Sequence, residues 1–126
     1  MSVMPSDFLE SALSFSDDSN EMSIRNKVSR AYYGGYLAAR DWQVKSGSKI
    51  PETIGGGVHM RLIRFYQKGL CSELTPEEQE KLAGLLGVAK SLRTKADYKL
   101  GICVPASDGH TAIRCAERIC AILCDV

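Results

Sequence analysis

The sequence predicts an all-α fold, an antiparallel up-and-down bundle of four to five helices that forms a single domain over residues 1–126. Apolar residues recur at helical spacing along nearly the whole chain, and no stretch alternates between apolar and polar residues as a strand does. The links between the helical stretches are short, which favours antiparallel neighbours packed around one core. A chain of 126 residues can bury such a core without disulfides or a metal ion.

The expected bounds of the helices follow from capping and helix-breaking residues. We expect helices from about Pro5 to Ser16, Glu21 to Lys45, Val58 to Lys68 and Pro76 to Ala96, and a last helix capped by Ser107 or Asp108. The clearest start is at Thr75, because Pro76 suits the first helical position and Glu78 can complete a capping box. Gly69 is suited to end the third helix.

The second helix carries two adjacent glycines, Gly34 and Gly35, at its centre, at a cost of roughly 1 kcal/mol each relative to alanine. Its predicted core stripe holds small and apolar residues: Ile24, Val28, Ala31, Tyr32, Gly35, Ala38, Ala39 and Trp42. Because Gly35 lies within this stripe and Gly34 at its edge, we expect another helix backbone to cross closely at one notch.

The opposite face of the second helix has a composition typical of interfaces. It contains aromatic, apolar and basic side chains where a surface helix is normally polar. These predicted interface residues are Tyr33, Tyr36, Leu37 and Arg40. Two explanations remain open: another helix of the same bundle covers them, or a second subunit does.

The composition argues against several classes of protein. Sixteen basic and fifteen acidic residues give a net charge of +1, which disfavours a broad nucleic-acid-coating surface but leaves a local basic patch open. No apolar run approaches the ~20 residues that span a bilayer, and the first residues lack a secretory signal. Five cysteines, an odd number without metal-ligand spacing, predict free thiols and a cytoplasmic location. We expect neither a metal site nor a cofactor.

Arg93 stands in the middle of the apolar stripe of the fourth helix. The stripe around it is formed by Leu82, Leu86, Ala89 and Ala96. A guanidinium keeps its proton in a protein, so it needs a carboxylate, a set of carbonyls or a wet cleft. In one interpretation Arg93 is an internal anchor paired with Asp97, one turn further on, or with an acidic residue elsewhere in the fold. In the other it faces a cleft and binds phosphate, for which arginine is well suited.

Three segments of the chain resemble the small stand-alone HEPN proteins of bacteria and archaea. They are "IRNKVSRAYYGGYLAARDW" at residues 24–42, "GGGVHMRLIRFYQKG" at residues 55–69 and "LRTKADYKLG" at residues 92–101. The similarity covers about residues 6–123, and "SRAYY" followed by "ADY" in this order and spacing carries most of it. It implies a helical bundle that commonly dimerises, in toxin–antitoxin, abortive-infection or other defence systems, often beside a minimal nucleotidyltransferase.

The resemblance also implies a site. Active HEPN proteins are metal-independent RNA endonucleases with an Arg-x(4–6)-His motif at the end of the helix that matches the fourth helix here. Arg93 matches the motif's arginine, but five residues on stands Tyr98, and a tyrosine, which titrates near ~10, is a poor general base. The two histidines, His59 and His110, have no arginine five to seven residues before them. Each is expected near a helix start, as a solvent-facing or capping residue.

Three functions agree with these observations, in this order of preference. The first is a non-catalytic HEPN-type interaction module, a homodimer that works with a partner such as a nucleotidyltransferase in a toxin–antitoxin or phage-defence system. The second is a divergent metal-independent RNA endonuclease, and whether the chain is an enzyme stays open; the catalytic candidates are Arg93, Tyr98, Asp97 and His59. The third is a small-ligand or nucleotide-binding bundle. Its pocket, like an RNA-binding site, would use Arg93, Arg25 and Tyr98.

Overall fold

The computed structural model describes residues 3–124, and every regular element in that range is an α-helix. The five helices are α1 (Pro5–Ser14), α2 (Glu21–Lys45), α3 (Val58–Gln67), α4 (Pro76–Tyr98) and α5 (Ala106–Cys124). The predicted all-α class and the helical bundle are confirmed for this part of the chain. Within it, no helix is long and apolar enough to cross a membrane.

The central helix is α2, which contacts each of the other four helices. It contributes to both clusters of buried apolar side chains. The larger cluster joins α2, α3, α4 and α5 around Tyr32 and Phe65, and the smaller one joins α1, α2, α4 and α5 around Val28. Because helices surround α2, even charged side chains on it are buried: Arg25 is 4% exposed and Lys27 is 7% exposed.

Capping side chains start two of the long helices. Asn20 caps α2 by accepting a hydrogen bond from the Ser23 backbone N–H at 3.2 Å. The predicted capping box of α4 is confirmed. Its Thr75 hydroxyl accepts from the Glu78 N–H at 3.1 Å, and the Glu78 carboxylate accepts from the Thr75 N–H at 2.9 Å.

The predicted cap of α5 is wrong, because α5 begins at Ala106 and both proposed capping residues lie in its first turn. The Asp108 backbone N–H donates to the Pro105 carbonyl at 3.0 Å, and the helix starts two to three residues earlier than expected. The Asp108 side chain instead accepts from the Lys95 ammonium at 2.7 Å. A tertiary ion pair to α4 therefore uses the carboxylate that was expected to cap the helix.

The other predicted bounds differ by at most two residues. α1 ends at Ser14 and α3 at Gln67, slightly before the predicted ends. α4 continues past Ala96 to Tyr98. Its last carbonyls are bonded by the side chain of Arg25 from α2, which satisfies groups that a helix end normally leaves to water.

The two adjacent glycines of α2 serve two different neighbours. A Cβ on Gly34 would lie 3.3 Å from the Leu9 backbone nitrogen of α1. A Cβ on Gly35 would lie 2.9 Å from Cδ1 of Ile119 and 3.7 Å from Cα of Ala116, both on α5. The expected close crossing is confirmed, but it consists of two notches on neighbouring faces and not of one widened notch. Each glycine lets a different helix approach α2.

We predict unequal effects for two glycine-to-alanine substitutions. Nothing lies within 4 Å of the position that a Cβ on Gly84 of α4 would take. Gly84→Ala should therefore raise the free energy of unfolding by about 0.5–1 kcal/mol through helix propensity. Gly35→Ala gains the same propensity, but its Cβ would lie 2.9 Å from Cδ1 of the fully buried Ile119, so that side chain must shift and the net stabilisation should be smaller. Urea unfolding measures both, and equal stabilisation by the two substitutions would contradict the close crossing.

Candidate functional site

Arg93 of α4 lies at the centre of a hydrogen-bonded group that joins α4 to α2. Its side chain is 15% exposed, and its Nε donates to Asp97 Oδ2 at 2.9 Å, so the ion pair with Asp97, one of the alternatives that the sequence left open, is present. Its Nη2 donates to the Tyr33 hydroxyl at 2.8 Å and to the Tyr98 hydroxyl at 3.3 Å. Nη1 has no partner among residues 3–124, and it is not one of the buried unsatisfied atoms there, so it reaches solvent.

The contact between α2 and α4 links the two short segments quoted from the sequence. Ser29 and Tyr33 belong to "SRAYY", and Asp97 and Tyr98 belong to "ADY". The Ser29 hydroxyl donates to Asp97 Oδ2 at 3.2 Å, the same oxygen that accepts from Arg93. Each segment therefore supplies two side chains to one network around the guanidinium.

Aromatic rings surround the Arg93 guanidinium. Its Cζ lies 5.1 Å from the ring centroid of Tyr98, 5.3 Å from that of Tyr33 and 5.9 Å from that of Tyr32. Such distances allow cation–π attraction, which strengthens where water is excluded. Burial by itself would lower the pKa of this guanidinium, but the nearby phenol groups and the Asp97 carboxylate outweigh burial and raise it. The site thus holds a permanent positive charge.

His59 packs against the same tyrosines, from the first turn of α3. Its Nδ1 lies 2.6 Å from the Tyr32 hydroxyl, and its ring centroid lies 4.2 Å from that of Tyr36 and 6.1 Å from that of Tyr33. The prediction that His59 is a solvent-facing or capping residue is therefore only partly correct, because His59 does not cap α3 and packs its ring against tyrosines but remains partly exposed. Tyr32 and Tyr33 each contact both Arg93 and His59, so the cation and the imidazole pack against the same two rings.

The environment of His59 favours the neutral imidazole. Burial lowers the pKa of His59, and the positive charges of Arg93 and Lys90 lower it further. Burial also raises the pKa of Tyr32, so its hydroxyl stays protonated next to the imidazole. Nε2 of His59 has no hydrogen-bond partner in residues 3–124 and is not among the buried unsatisfied atoms, so it too reaches solvent. A neutral imidazole with an accessible nitrogen can accept a proton near pH 7.

The loop before α3 is tied to the helix that carries His59. Arg61 donates to the carbonyl of Ile54 at 3.0 Å and to that of Pro51 at 3.2 Å, and Arg64 donates to the carbonyl of Gly55 at 2.6 Å. The triple-glycine stretch at residues 55–57 is thus hydrogen-bonded at its first residue. These bonds hold the start of α3, and with it His59, in place.

Arg25, predicted to line the same pocket as Arg93 and Tyr98, is engaged elsewhere by all its donors. Nε donates to Glu21 at 3.0 Å, Nη1 to the carbonyls of Lys95 and Ala96, and Nη2 to those of Lys99 and Ile102. A guanidinium has five N–H groups, and each has a partner here. Arg25 therefore closes the end of α4 and does not join the group around Arg93.

The four predicted interface residues differ in exposure. Tyr36 is only 4% exposed because α3 covers it, and Tyr33 bonds Arg93, so for these two another part of the same chain is the cover. Leu37 is partly buried against the core. Arg40 is exposed and lies 3.7 Å from Asp41. Of the four side chains, Arg40 remains the most accessible to another molecule.

The second histidine, His110, lies apart from this site. It is in the second turn of α5, where its Nε2 lies 3.0 Å from Asp18 Oδ2, and its side chain is 60% exposed. The same carboxylate binds Lys27 at 3.1 Å through its other oxygen. Asp18 therefore links α5 to α2, and His110 is part of that link. Its solvent-facing position agrees with the prediction.

Cavities occur elsewhere on the described surface. The largest of five, about 770 Å³, lies between α4 and α5 and is lined by residues that include Leu85, Val88 and Ile122. None of the five is lined by Arg25, Arg93 or Tyr98. In the described range, no group of three or more His, Cys, Asp or Glu side chains could hold a metal ion.

Comparison of the chain with protein-family models, with curated proteins and with solved structures gave no match. The resemblance to HEPN proteins therefore rests on the residue segments alone.

We predict that Arg25 stabilises the fold and that this effect is specific to its position. Arg25→Met leaves several buried carbonyls and Glu21 without their donor, so the free energy of unfolding should fall by about 3 kcal/mol. Arg30→Met, on the exposed side of the same helix, should change it by less than about 0.5 kcal/mol. Urea unfolding distinguishes the two. Equal effects would mean that the five bonds contribute nothing beyond those of a surface arginine.

We predict that His59 makes the fold sensitive to acid. Its pKa is lower in the folded chain than the ordinary value of 6.5, so the unfolded chain binds this proton first as the pH falls. The stability that this difference contributes is present in full above pH 6.5 and is lost as the pH falls through the folded pKa. His59→Asn should lose less stability than the wild type between pH 7.5 and pH 5, measured by urea unfolding. A His59→Asn curve parallel to that of the wild type would contradict the prediction.

Proposed function

We propose that this chain is a HEPN-type RNA endonuclease in which Arg93 binds the scissile phosphate and His59 transfers the proton. The supporting observation is that Arg93 and His59 contact the same two tyrosines, each with one nitrogen accessible to solvent. In this proposal His59 of α3 takes the role of the histidine that is absent from the sequence motif. Arginine suits phosphate, and a neutral imidazole suits proton transfer near pH 7.

The reaction follows from the chemistry of the two groups. In the tautomer that donates Nδ1–H to Tyr32, the lone pair on Nε2 of His59 accepts the proton of a ribose 2′-hydroxyl. The 2′-oxygen then attacks phosphorus, and Arg93 stabilises the charge that develops on the phosphoryl oxygens. The 5′-oxygen leaves and takes up the proton from the imidazolium. The products are a 2′,3′-cyclic phosphate and a free 5′-hydroxyl, and no redox partner is required.

A second candidate is the non-catalytic HEPN-type interaction module. It is favoured by the intramolecular bonds of Arg93, because Asp97, Tyr33 and Tyr98 occupy three of its five N–H groups. In this proposal the chain is a homodimer that binds a nucleotidyltransferase-type or other partner in a toxin–antitoxin or phage-defence system. Arg40 would then belong to the contact surface, and the Arg93 network would serve stability alone.

Cleavage of RNA by the purified protein distinguishes the two. We expect the wild type to cut a single-stranded RNA 20-mer in EDTA and to leave the DNA of the same sequence intact, because DNA lacks the 2′-hydroxyl. His59→Gln should lower the rate by about 10²–10⁴-fold and Arg93→Lys by about 10²–10³-fold. His110→Gln is the matched control and should cut at the wild-type rate. Thermal unfolding of each variant separates loss of chemistry from loss of fold.

A wild type that cuts no RNA would exclude the endonuclease and leave the interaction module as the proposed function. In that case sedimentation should show a homodimer, and Arg40→Glu should weaken it. Cleavage that survives His59→Gln would exclude His59 as the proton-transfer group. Expression of the chain alone tests the defence context, because an RNA-cutting toxin slows growth and its Arg93→Lys variant does not.

A further inference from the structure

An aromatic ring stands exposed at the end of α4, beside the Arg93 network. Tyr98 is 67% exposed, although rings of this size usually bury most of their surface. It is held in place all the same: its hydroxyl accepts a hydrogen bond from Arg93 at 3.3 Å, and its ring centroid lies 5.1 Å from the guanidinium carbon. The ring is therefore positioned before any ligand arrives, while much of its surface is open.

Tyr98 is the exposed member of a group of three planar side chains. Tyr33 is partly buried against the core, and its ring centroid lies 5.3 Å from Arg93 Cζ. The side chain of Arg93 is 15% exposed, and the Tyr98 ring beside it is mostly exposed. The open surface of the Tyr98 ring can accept a further planar group. Nucleobases are planar, and each of the four has a face that can stack on a phenol ring.

The charges around Tyr98 suit a nucleic acid strand. Lys99, the next residue, is exposed and has no ion pair within the described range. The open Nη1 of Arg93 adds a further positive group. Aromatic side chains beside basic ones are the usual means of holding single strands without reading their sequence.

We infer that Tyr98 is a stacking platform for an unpaired base of single-stranded RNA, next to the nucleotide whose phosphate lies at Arg93. The inference rests on the RNA-binding role proposed for the Arg93 site. To the contact with the phosphate it adds a contact with a base. Tyr98 thus binds substrate by its ring, in the position where the sequence motif has a histidine. Because stacking depends on the face of a base and not on its edge, oligouridine and oligoadenosine bind with similar affinity.

The test measures binding of a fluorescein-labelled 2′-O-methyl-uridine 10-mer by anisotropy, since this probe has no free 2′-hydroxyl and is not cut. Loss of one stacked base is worth about 1–3 kcal/mol, so Tyr98→Ala should raise the Kd by about 5- to 150-fold. Tyr98→Phe keeps the ring and should stay within about threefold of the wild type. Leu100→Ala, at a neighbouring side chain that is 74% exposed, is the control and should leave the Kd unchanged. A 10-bp duplex of the same chemistry should bind more weakly.

Each other result overturns the inference in a distinct way. If Arg93→Lys weakens binding but Tyr98→Ala does not, the RNA site stands and the stacking platform is excluded. If the wild type does not bind the probe at all, both the platform and the proposed RNA site fail. If Tyr98→Ala leaves the Kd unchanged but converts a dimer to a monomer in sedimentation, the ring is a subunit contact. Circular dichroism confirms that the variants are folded.

Discussion

A guanidinium that stays charged at every physiological pH lies on the core-facing side of α4, and the arrangement around it follows from that constraint. The side chain of Arg93 is 15% exposed, so its charge must be met by partners within the chain. Asp97 supplies the carboxylate, and hydroxyls of Tyr33 and Tyr98 supply acceptors. One of these partners is on α2 and two are on α4. Pairing of a single charge therefore helps to set how the two longest helices meet.

Two arginines at the contact between α2 and α4 use their hydrogen-bond donors differently. Arg25 has a partner for every N–H group, most of them carbonyls at the end of α4, and has no donor left for a ligand. Arg93 keeps Nη1 open to solvent, beside an imidazole with an open nitrogen and a ring that is two-thirds exposed. Binding capacity thus depends on the donors that the fold leaves unused. By this measure Arg25 is structural, whereas Arg93 has a structural role and also keeps a donor that can bind a ligand.

Placing the imidazole on another helix has chemical consequences. His59 comes from α3, so its position depends on Arg61 and on the loop bonds that hold the start of that helix. Its separation from Arg93 is set by the aromatic residues between them, because Tyr32 and Tyr33 touch both groups. The positive charge of Arg93 near the imidazole favours its neutral form.

Features with local causes could be derived from the order of amino acids alone. The bounds of α2 and the Thr75–Glu78 capping box involve residues within a turn or two of each other. The pairing of Arg93 with Asp97, one of the alternatives that the sequence offered, is local in the same way. Contacts between distant residues could not, because periodicity identifies the apolar face of a helix but not the neighbour that covers it. The bond between Tyr32 and His59 spans 27 positions, and packing of α3 against α2 created it. Packing likewise buried Tyr36 and drew Asp108 away from its helix start to Lys95. Helix positions are therefore local in origin, whereas the site depends on how the helices are rotated and paired.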